Sequence, residues 1–217
     1  MKAPIWDLPT RLFHWLLAAL IAFSWWSAEY GHTDLHIWSG IALLTLLLFR
    51  LLWGFFGSST ARFSSFIRGP KTVLGYLKDK SGWRVPGHTP LGALSIVALL
   101  LAVAVQVSLG LISTDEDGFY EGPLARLVSI DTSDAARELH EQWFYLLLGL
   151  IALHVAAIIF YRFKGQHLTK PMITGKADLA PGAEPMQPAR WWVALVCAAV
   201  ALGIARWVVA GAPPFGG

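Results

Sequence analysis

Cysteine is almost absent from this chain, since Cys197 is the only one and lies inside an apolar stretch. A disulfide, a thiolate zinc site or an iron–sulfur cluster cannot be built within the chain, because each needs more than one thiol. Any redox centre held by this chain alone must therefore use other ligands.

Charge is also scarce. Only 14% of the 217 residues are charged and 55% are hydrophobic, with a mean hydropathy of +0.53, whereas an average soluble domain carries about 25% charge. This composition indicates that lipid surrounds the chain. The net charge of +3 does not indicate a nucleic-acid partner, because the basic residues are distributed between hydrophobic runs instead of forming a patch.

Five apolar runs approach or exceed the roughly 17 to 25 residues that a helix needs to cross a bilayer. Arg50 and Arg206 interrupt two of them near an end, where a long side chain can snorkel to the headgroups. The first run has no small-x-small cleavage site, so we expect an uncleaved helix. The sequence predicts an all-α membrane protein with a four-helix transmembrane bundle and a fifth, C-terminal transmembrane helix. The predicted spans are residues 12–28, 37–56, 91–113, 143–161 and 191–212.

The segments between the spans differ in charge. Lysine and arginine gather before the first span, between the second and third, and between the fourth and fifth, and they include Lys80 and Arg84. By the positive-inside rule the N-terminus is cytoplasmic and the C-terminus periplasmic. The segment 115–141 carries eight carboxylates against two arginines, a net charge of −6 on the external side. Tryptophans at the run ends fit interfacial aromatic belts: Trp25, Trp26, Trp38, Trp53, Trp143, Trp191, Trp192 and Trp207.

Four histidines lie on spans or at their edges. His14 is about one turn into the first span from the cytoplasmic side, and His36 opens the second span on the external side. His140 and His154 lie on the fourth helix. Their separation of 14 residues is about 40° short of four turns and about 21 Å along the axis, so they project from nearly the same face in opposite leaflets.

Depth pairs His14 with His154 and His36 with His140. Two neutral imidazoles from facing helices are what a six-coordinate haem iron requires, and they leave no open position for oxygen, so the chemistry implied is electron transfer. A lone membrane histidine can instead bond a neighbouring helix. Metal transport is the other use for such a set, but it favours intramembrane carboxylates, and none of the acids lies within a predicted span.

Other polar residues have alternative roles. Arg11 and Arg137 each stand three residues before a proposed ligand and could reach a haem propionate, or serve as a lipid-phosphate anchor or topology charge. His32 is an alternative external ligand, although a solvated histidine is expected there. The remaining histidines, His88 and His167, are expected at the surface, with a propionate contact as an alternative for His88. For Gln106, inside the third span, interhelical hydrogen bonding is expected.

The motifs resemble one known family. "IWDLPTRLFHWLLA", "LHIWSG", "FRLLWGFFGS", "GPKTVLGYLKD", "GHTPLGALS", "GLISTDEDGFYEGPL" and "LHEQWFYLLLGLIALHVAAIIFYRF" are similar to the bacterial cytochrome b561 and nickel–iron hydrogenase cytochrome b family, over about residues 4–175. The resemblance implies a four-helix bundle that holds two haems b, with ligands on the first, second and fourth helices. On this chain those ligands fall at His14, His36, His140 and His154.

The resemblance further implies an electron-transfer subunit of a membrane oxidoreductase in the bacterial inner membrane. Such a subunit exchanges electrons between a membrane quinone, ubiquinone or menaquinone, and a periplasmic c-type cytochrome or hydrogenase-like protein. The alternatives are a self-sufficient quinone reductase that oxidises a small donor such as superoxide, and a haemless scaffold or transporter. Residues 1–175 are then the dihaem bundle, and residues 176–217 are a cytoplasmic linker and an additional helix suited to a partner or homodimer contact.

Overall fold

A computed structural model describes residues 2–79, 87–179 and 182–214. Lys80 and Arg84 lie outside these residues. The elements, in chain order, are β1 Lys2–Pro4, α1 Leu8–Glu29, α2 Thr33–Phe56, α3 Phe63–Phe66, α4 Pro70–Lys78, α5 Pro90–Ile112, a 3-10 turn Ala125–Leu127, α6 Ile130–Phe163, α7 Thr169–Thr174, β2 Lys176–Asp178 and α8 Trp191–Val209. Among them α1, α2, α5, α6 and α8 are long and apolar enough to cross a membrane. The prediction of an all-α membrane protein with five candidate spans is confirmed.

Side-chain caps mark the starts of three of these helices. Asp7 precedes α1, and its Oδ1 accepts the backbone N–H of Thr10 at 2.7 Å. Thr89 precedes α5 and accepts the N–H of Gly92 through Oγ1 at 3.1 Å, and Ser129 accepts the N–H of Thr132 at the start of α6. Each cap satisfies a donor that the first helical turn leaves without a backbone acceptor.

Helix α6 begins much earlier than its apolar run. It starts at Ile130, although hydropathy predicted a span from residue 143. At 1.5 Å per residue its 34 residues extend about 51 Å, longer than a hydrocarbon core of roughly 30 Å. The acidic residues at the end of segment 115–141 therefore lie on helical turns of α6, not in a loop.

The segment between α6 and α8 is partly ordered by the N-terminus. Strand β2 pairs antiparallel with β1, with Ala3 opposite Ala177. Just before β2, the carbonyl of Gly175 accepts the N–H groups of Ile5 at 2.8 Å and Trp6 at 3.1 Å. Gly175 has φ +78°, and a Cβ there would lie 2.8 Å from the carbonyl oxygen of Trp6. Only glycine fits this crossing without strain.

Contacts divide the chain into two units. The first unit is Met1–His14, Arg50–Leu99 and Leu150–Cys197, and the second is Trp15–Phe49, Leu100–Gly149 and Ala198–Gly217. Each of the five long helices contributes residues to both. Trp53 and Phe66 are among the most buried aromatic side chains of the first unit, and Leu47 and Leu147 are buried in the second.

The tryptophans do not all belong to an aromatic belt. Trp53 is only 2% exposed, and its Nε1 donates to the carboxylate of Asp7 at 3.0 Å. The indole of Trp143 donates to the carbonyl of Ala102 on α5 at 2.9 Å. The belt prediction is wrong for Trp53, which is an interior hydrogen-bond donor. The other six are exposed at the protein surface, as a belt requires: Trp25, Trp26, Trp38, Trp191, Trp192 and Trp207.

Candidate functional site

His36 on α2 and His140 on α6 face each other within the second unit. Both side chains are half-buried, and their ring centres are 5.9 Å apart with an angle of 88° between the planes. Imidazole nitrogens bond metal ions at about 2 Å, so two rings on opposite sides of one metal ion have centres roughly 6 Å apart. The observed separation fits a pair of axial ligands to one iron.

The hydrogen bonds of this pair fix the nitrogen left for the metal. The Nδ1 of His36 lies 2.9 Å from the carbonyl oxygen of Ser24 on α1, and 3.2 Å from the Ser24 hydroxyl. The Nδ1 of His140 lies 2.9 Å from the carbonyl oxygen of Gln106 on α5. A carbonyl oxygen only accepts, so each Nδ1 carries the proton and each Nε2 keeps its lone pair. This is the arrangement expected for metal-ligating histidine.

Gln106 and Gly110, both on α5, lie close to His140. The amide Nε2 of Gln106 donates to the backbone carbonyl of His140 at 3.0 Å, so the predicted interhelical hydrogen bond is confirmed. One turn further on, a Cβ at Gly110 would lie 3.0 Å from His140 Cε1 and 3.3 Å from Nδ1. Sequence reasoning missed Gly110 and Ser24, because neither residue type indicates a contact with a histidine on another helix.

His14 on α1 and His154 on α6 belong to the first unit. Both are half-buried, and they are close enough to interact electrostatically. The structure thus brings the rings of His36 and His140 together and places His14 and His154 in one unit. The assignment of both pairs as haem ligands stays a prediction. Within residues 2–79, 87–179 and 182–214, no group of three or more His, Cys, Asp or Glu side chains could hold a metal ion. The histidines therefore occur as pairs, which suits a haem that supplies its own equatorial nitrogens.

Two of the other three histidines, His32 and His167, are exposed. His32 is exposed with its ring 5.4 Å from that of Trp26, and it is His36 that faces His140. His167 is exposed and contacts Arg162, as expected for a surface residue.

His88 is not the surface residue that we expected. Its ring is packed between Trp6 and Phe66, with ring centres 4.5 Å and 4.7 Å away. Its Nδ1 is buried and makes no hydrogen bond within the described part of the chain. Burial, with a smaller effect from the nearby positive charge of Arg50, lowers the pKa of His88 from 6.5 to about 3. His88 is therefore a neutral packing residue at physiological pH.

The two arginines considered for propionate contacts have protein partners. Arg11 donates to the carbonyl of Ile173, and its guanidinium lies against Gly175. Arg137 pairs with Glu116 at 3.2 Å and with Glu141 at 3.7 Å. These contacts leave the Nε atoms of Arg11 and Arg137 buried without a hydrogen-bond partner in the described part of the chain. Contact of either arginine with a haem propionate stays a prediction.

A polar network at the start of α1 was not predicted from the sequence. Arg50 is only 3% exposed, so the prediction that it snorkels to headgroups is wrong. Its guanidinium lies over Phe63, 4.9 Å from the ring centre, and 6.0 Å from that of Phe13. The nearby charge of Asp7 acts on it, and Asp7 also accepts from Trp53 and the Ser58 hydroxyl. A buried cation is tolerated here because aromatic faces lie close to it and the carboxylate charge of Asp7 is near enough to act on it.

A comparison with known protein families identifies the family of this chain. The family model described as prokaryotic cytochrome b561 matches residues 5–175. Neither the curated proteins nor the solved structures gave a match to this chain. The matched residues include all four paired histidines and the first four candidate spans, so the resemblance inferred from the motifs is confirmed. The chain belongs to the prokaryotic cytochrome b561 family, and it is accordingly a multi-pass helical membrane protein that transfers electrons across the membrane with haem b.

Proposed function

We propose that this chain binds two haems b, one between His14 and His154 and one between His36 and His140. We further propose that it carries electrons between a periplasmic redox protein and the quinone pool, ubiquinone or menaquinone, of the bacterial inner membrane. The observation that carries the proposal is the pair His36 and His140. Their rings are 5.9 Å apart, and both Nδ1 atoms bond carbonyl oxygens, so both Nε2 atoms are available to one iron.

A bound haem would supply a one-electron couple, and an iron held by two histidines would keep no coordination position open. The chain's own contribution is to hold the imidazoles and to fix their tautomers. Backbone carbonyls on α1 and α5 do this for His36 and His140. We call these two the outer pair and their haem the outer haem, because the orientation proposed below places them toward the periplasm. His14 and His154 are the inner pair, which holds the inner haem. Because His140 and His154 both stand on α6, one helix contributes a ligand to each proposed site.

Charge supports the orientation and the partner. With basic segments on the cytoplasmic side, the N-terminus is cytoplasmic and the C-terminus periplasmic. The acidic segment 115–141 then faces the periplasm, and Phe119 at its turn is 82% exposed. Such a surface favours a partner with a lysine-rich rim, and a c-type cytochrome fits this description better than a neutral small donor does.

Haem stoichiometry of the purified full chain tests the ligand assignment. The parent should carry two haems per chain, and His140→Ala and His154→Ala should each lose one and retain the other. His32→Ala and His167→Ala are matched controls that should keep both, since these histidines are exposed. Two low-spin haems at full occupancy in His140→Ala or in His154→Ala would overturn the assignment.

A further inference from the structure

Helix α5 carries no histidine, yet its contacts with α6 surround one of the proposed ligands. Three side chains of α6 bond to carbonyl oxygens of α5: Ser133 to Ile112 at 2.7 Å, His140 to Gln106 at 2.9 Å, and Trp143 to Ala102 at 2.9 Å. All of these residues belong to the second unit. His140 is thus the middle member of a row of interhelical bonds that sets the register between the two helices.

Gln106 holds His140 from two directions. Its carbonyl accepts the ring proton on Nδ1, and its side-chain Nε2 donates to the backbone carbonyl of His140 at 3.0 Å. One bond orients the imidazole, and the other fixes the backbone from which the imidazole projects. Together they restrict both the position and the rotation of the ring.

Gly110 makes room for the ring. Carbon atoms in ordinary contact are about 3.5 to 4.0 Å apart, whereas a Cβ at position 110 would lie 3.0 Å from His140 Cε1. Any side chain here would push the imidazole away from α5 and away from the Gln106 carbonyl. The close approach of the ring, and not the backbone conformation, favours glycine here, since Gly110 lies inside a helix. A Cβ at this position requires the imidazole to move by a few tenths of an ångström.

We propose that Gln106 and Gly110 are positioning residues for the outer haem, which orient His140 and set the reduction potential of the iron it ligates. This inference rests on the proposed function, because it requires His140 to be a haem ligand. A hydrogen bond from Nδ1 to a carbonyl makes the imidazole a stronger donor to iron, and such donation favours the ferric state. Weakening that bond therefore raises the potential of the outer haem. The inner haem, whose ligands His14 and His154 belong to the first unit, keeps its potential.

The test is Gly110→Ala in the purified full chain, with redox titration of both haems, low-spin electron paramagnetic resonance and haem stoichiometry. Losing an outer-shell hydrogen bond commonly weakens metal binding 10- to 100-fold. A tenfold loss of preference for ferric over ferrous iron is an upward shift of about 59 mV for one electron. We expect the potential of the outer haem to rise by up to about this amount with altered low-spin signals, or this haem to be lost, while the inner haem is unchanged.

Two glycines provide matched controls. Gly40 on α2 stands four residues after His36, and Gly149 stands on α6 between His140 and His154; a Cβ at either would meet nothing within 4 Å. Gly40→Ala and Gly149→Ala should keep parental potentials and spectra. Gln106→Leu, which removes the side-chain donor but keeps the carbonyl, should shift the outer haem in the same direction by less. It also serves as the second test should Gly110→Ala fail to accumulate.

Parental outer-haem potential and spectrum in Gly110→Ala would overturn the inference, and so would equal shifts in Gly110→Ala and the two glycine controls. If Gly110→Ala does not accumulate, a parental outer haem in Gln106→Leu overturns it instead. These outcomes leave the ligand assignment standing, provided that His140→Ala loses the outer haem. Retention of that haem in His140→Ala would overturn the proposed function and the inference together.

Discussion

Replacing Asp7 should destabilise the fold more than replacing any exposed acid, because its carboxylate satisfies several groups at once. Oδ1 caps α1 through Thr10, and Oδ2 accepts from the Trp53 indole and the Ser58 hydroxyl. In Asp7→Ala the lost cap costs about 1 kcal/mol, and each buried donor left without an acceptor costs about 1 to 3 kcal/mol. Since such terms are not additive, the free energy of unfolding should fall by about 3 to 5 kcal/mol.

The assay is equilibrium unfolding of the purified chain in mixed detergent micelles, followed by circular dichroism. Asp34→Ala is the control, because Asp34 stands in the first turn of a membrane helix, close to its start as Asp7 is to the start of α1, but is exposed. Its replacement should change stability by less than about 1 kcal/mol. Asp7→Asn keeps the shape and an acceptor, so it should fall between the two. Equal unfolding midpoints for Asp7→Ala and Asp34→Ala would refute the reasoning.

Three further predictions concern pH, topology and docking. The pKa of His88 is lowered from 6.5 to about 3, so between these values the unfolded chain binds a proton that the folded chain does not. The free energy of unfolding should therefore fall as pH falls below about 6.5, by up to about 1.4 kcal/mol per pH unit. His88→Phe should make this dependence on pH less steep. An unchanged dependence in His88→Phe would contradict the conclusion that His88 is buried in its neutral form. A reporter fused after Gly217, itself outside the described residues, should be periplasmic, and a cytoplasmic signal would mean that α8 does not cross. Reduction of the outer haem by a lysine-rich cytochrome c should slow as salt shortens the Debye length from about 10 Å at 0.1 M. Changing Asp115, Glu116 and Asp117 to the corresponding amides should weaken this salt dependence. Equal rates and equal salt slopes in the parent and the variant would exclude docking at these three residues.

The five membrane helices were predictable because hydropathy reports the length of chain that lipid can accept. The extension of α6 back to Ile130 was not, because hydropathy measures immersion in hydrocarbon and not helicity. The helical turns before the apolar run contain Asp131, Asp134 and Glu138, which resemble a solvated loop by composition. The capping residue Ser129 was the available signal for this start.

The interior of the first unit was harder to predict for a different reason. Lipid and protein interiors are both apolar, so a tryptophan or arginine near the end of a run can face either one. Trp53 and Arg50 were assigned to the interface, yet both are buried around Asp7. What distinguishes them is a carboxylate brought from the start of α1, and sequence gives no distance between residues 7 and 50.

The histidine pairs were predictable in a way that Gln106 and Gly110 were not. Spacing along one helix is set by 3.6 residues per turn, so the shared face of His140 and His154 follows from sequence alone. The structure supports that face independently: Ser133, His140, Leu147 and His154 recur every seven residues on α6, and Ser133 and Leu147 are each only 2% exposed. A seven-residue step falls about 20° short of two turns, so these four positions form one slowly drifting stripe. His140 and His154, the other two members of this stripe, are themselves half-buried. The contacts of Gln106 and Gly110 depend instead on how α5 and α6 are offset along their axes. That offset is fixed by hydrogen bonds from side chains to backbone carbonyl oxygens. Every residue has a backbone carbonyl, so the sequence does not show which carbonyl is the acceptor.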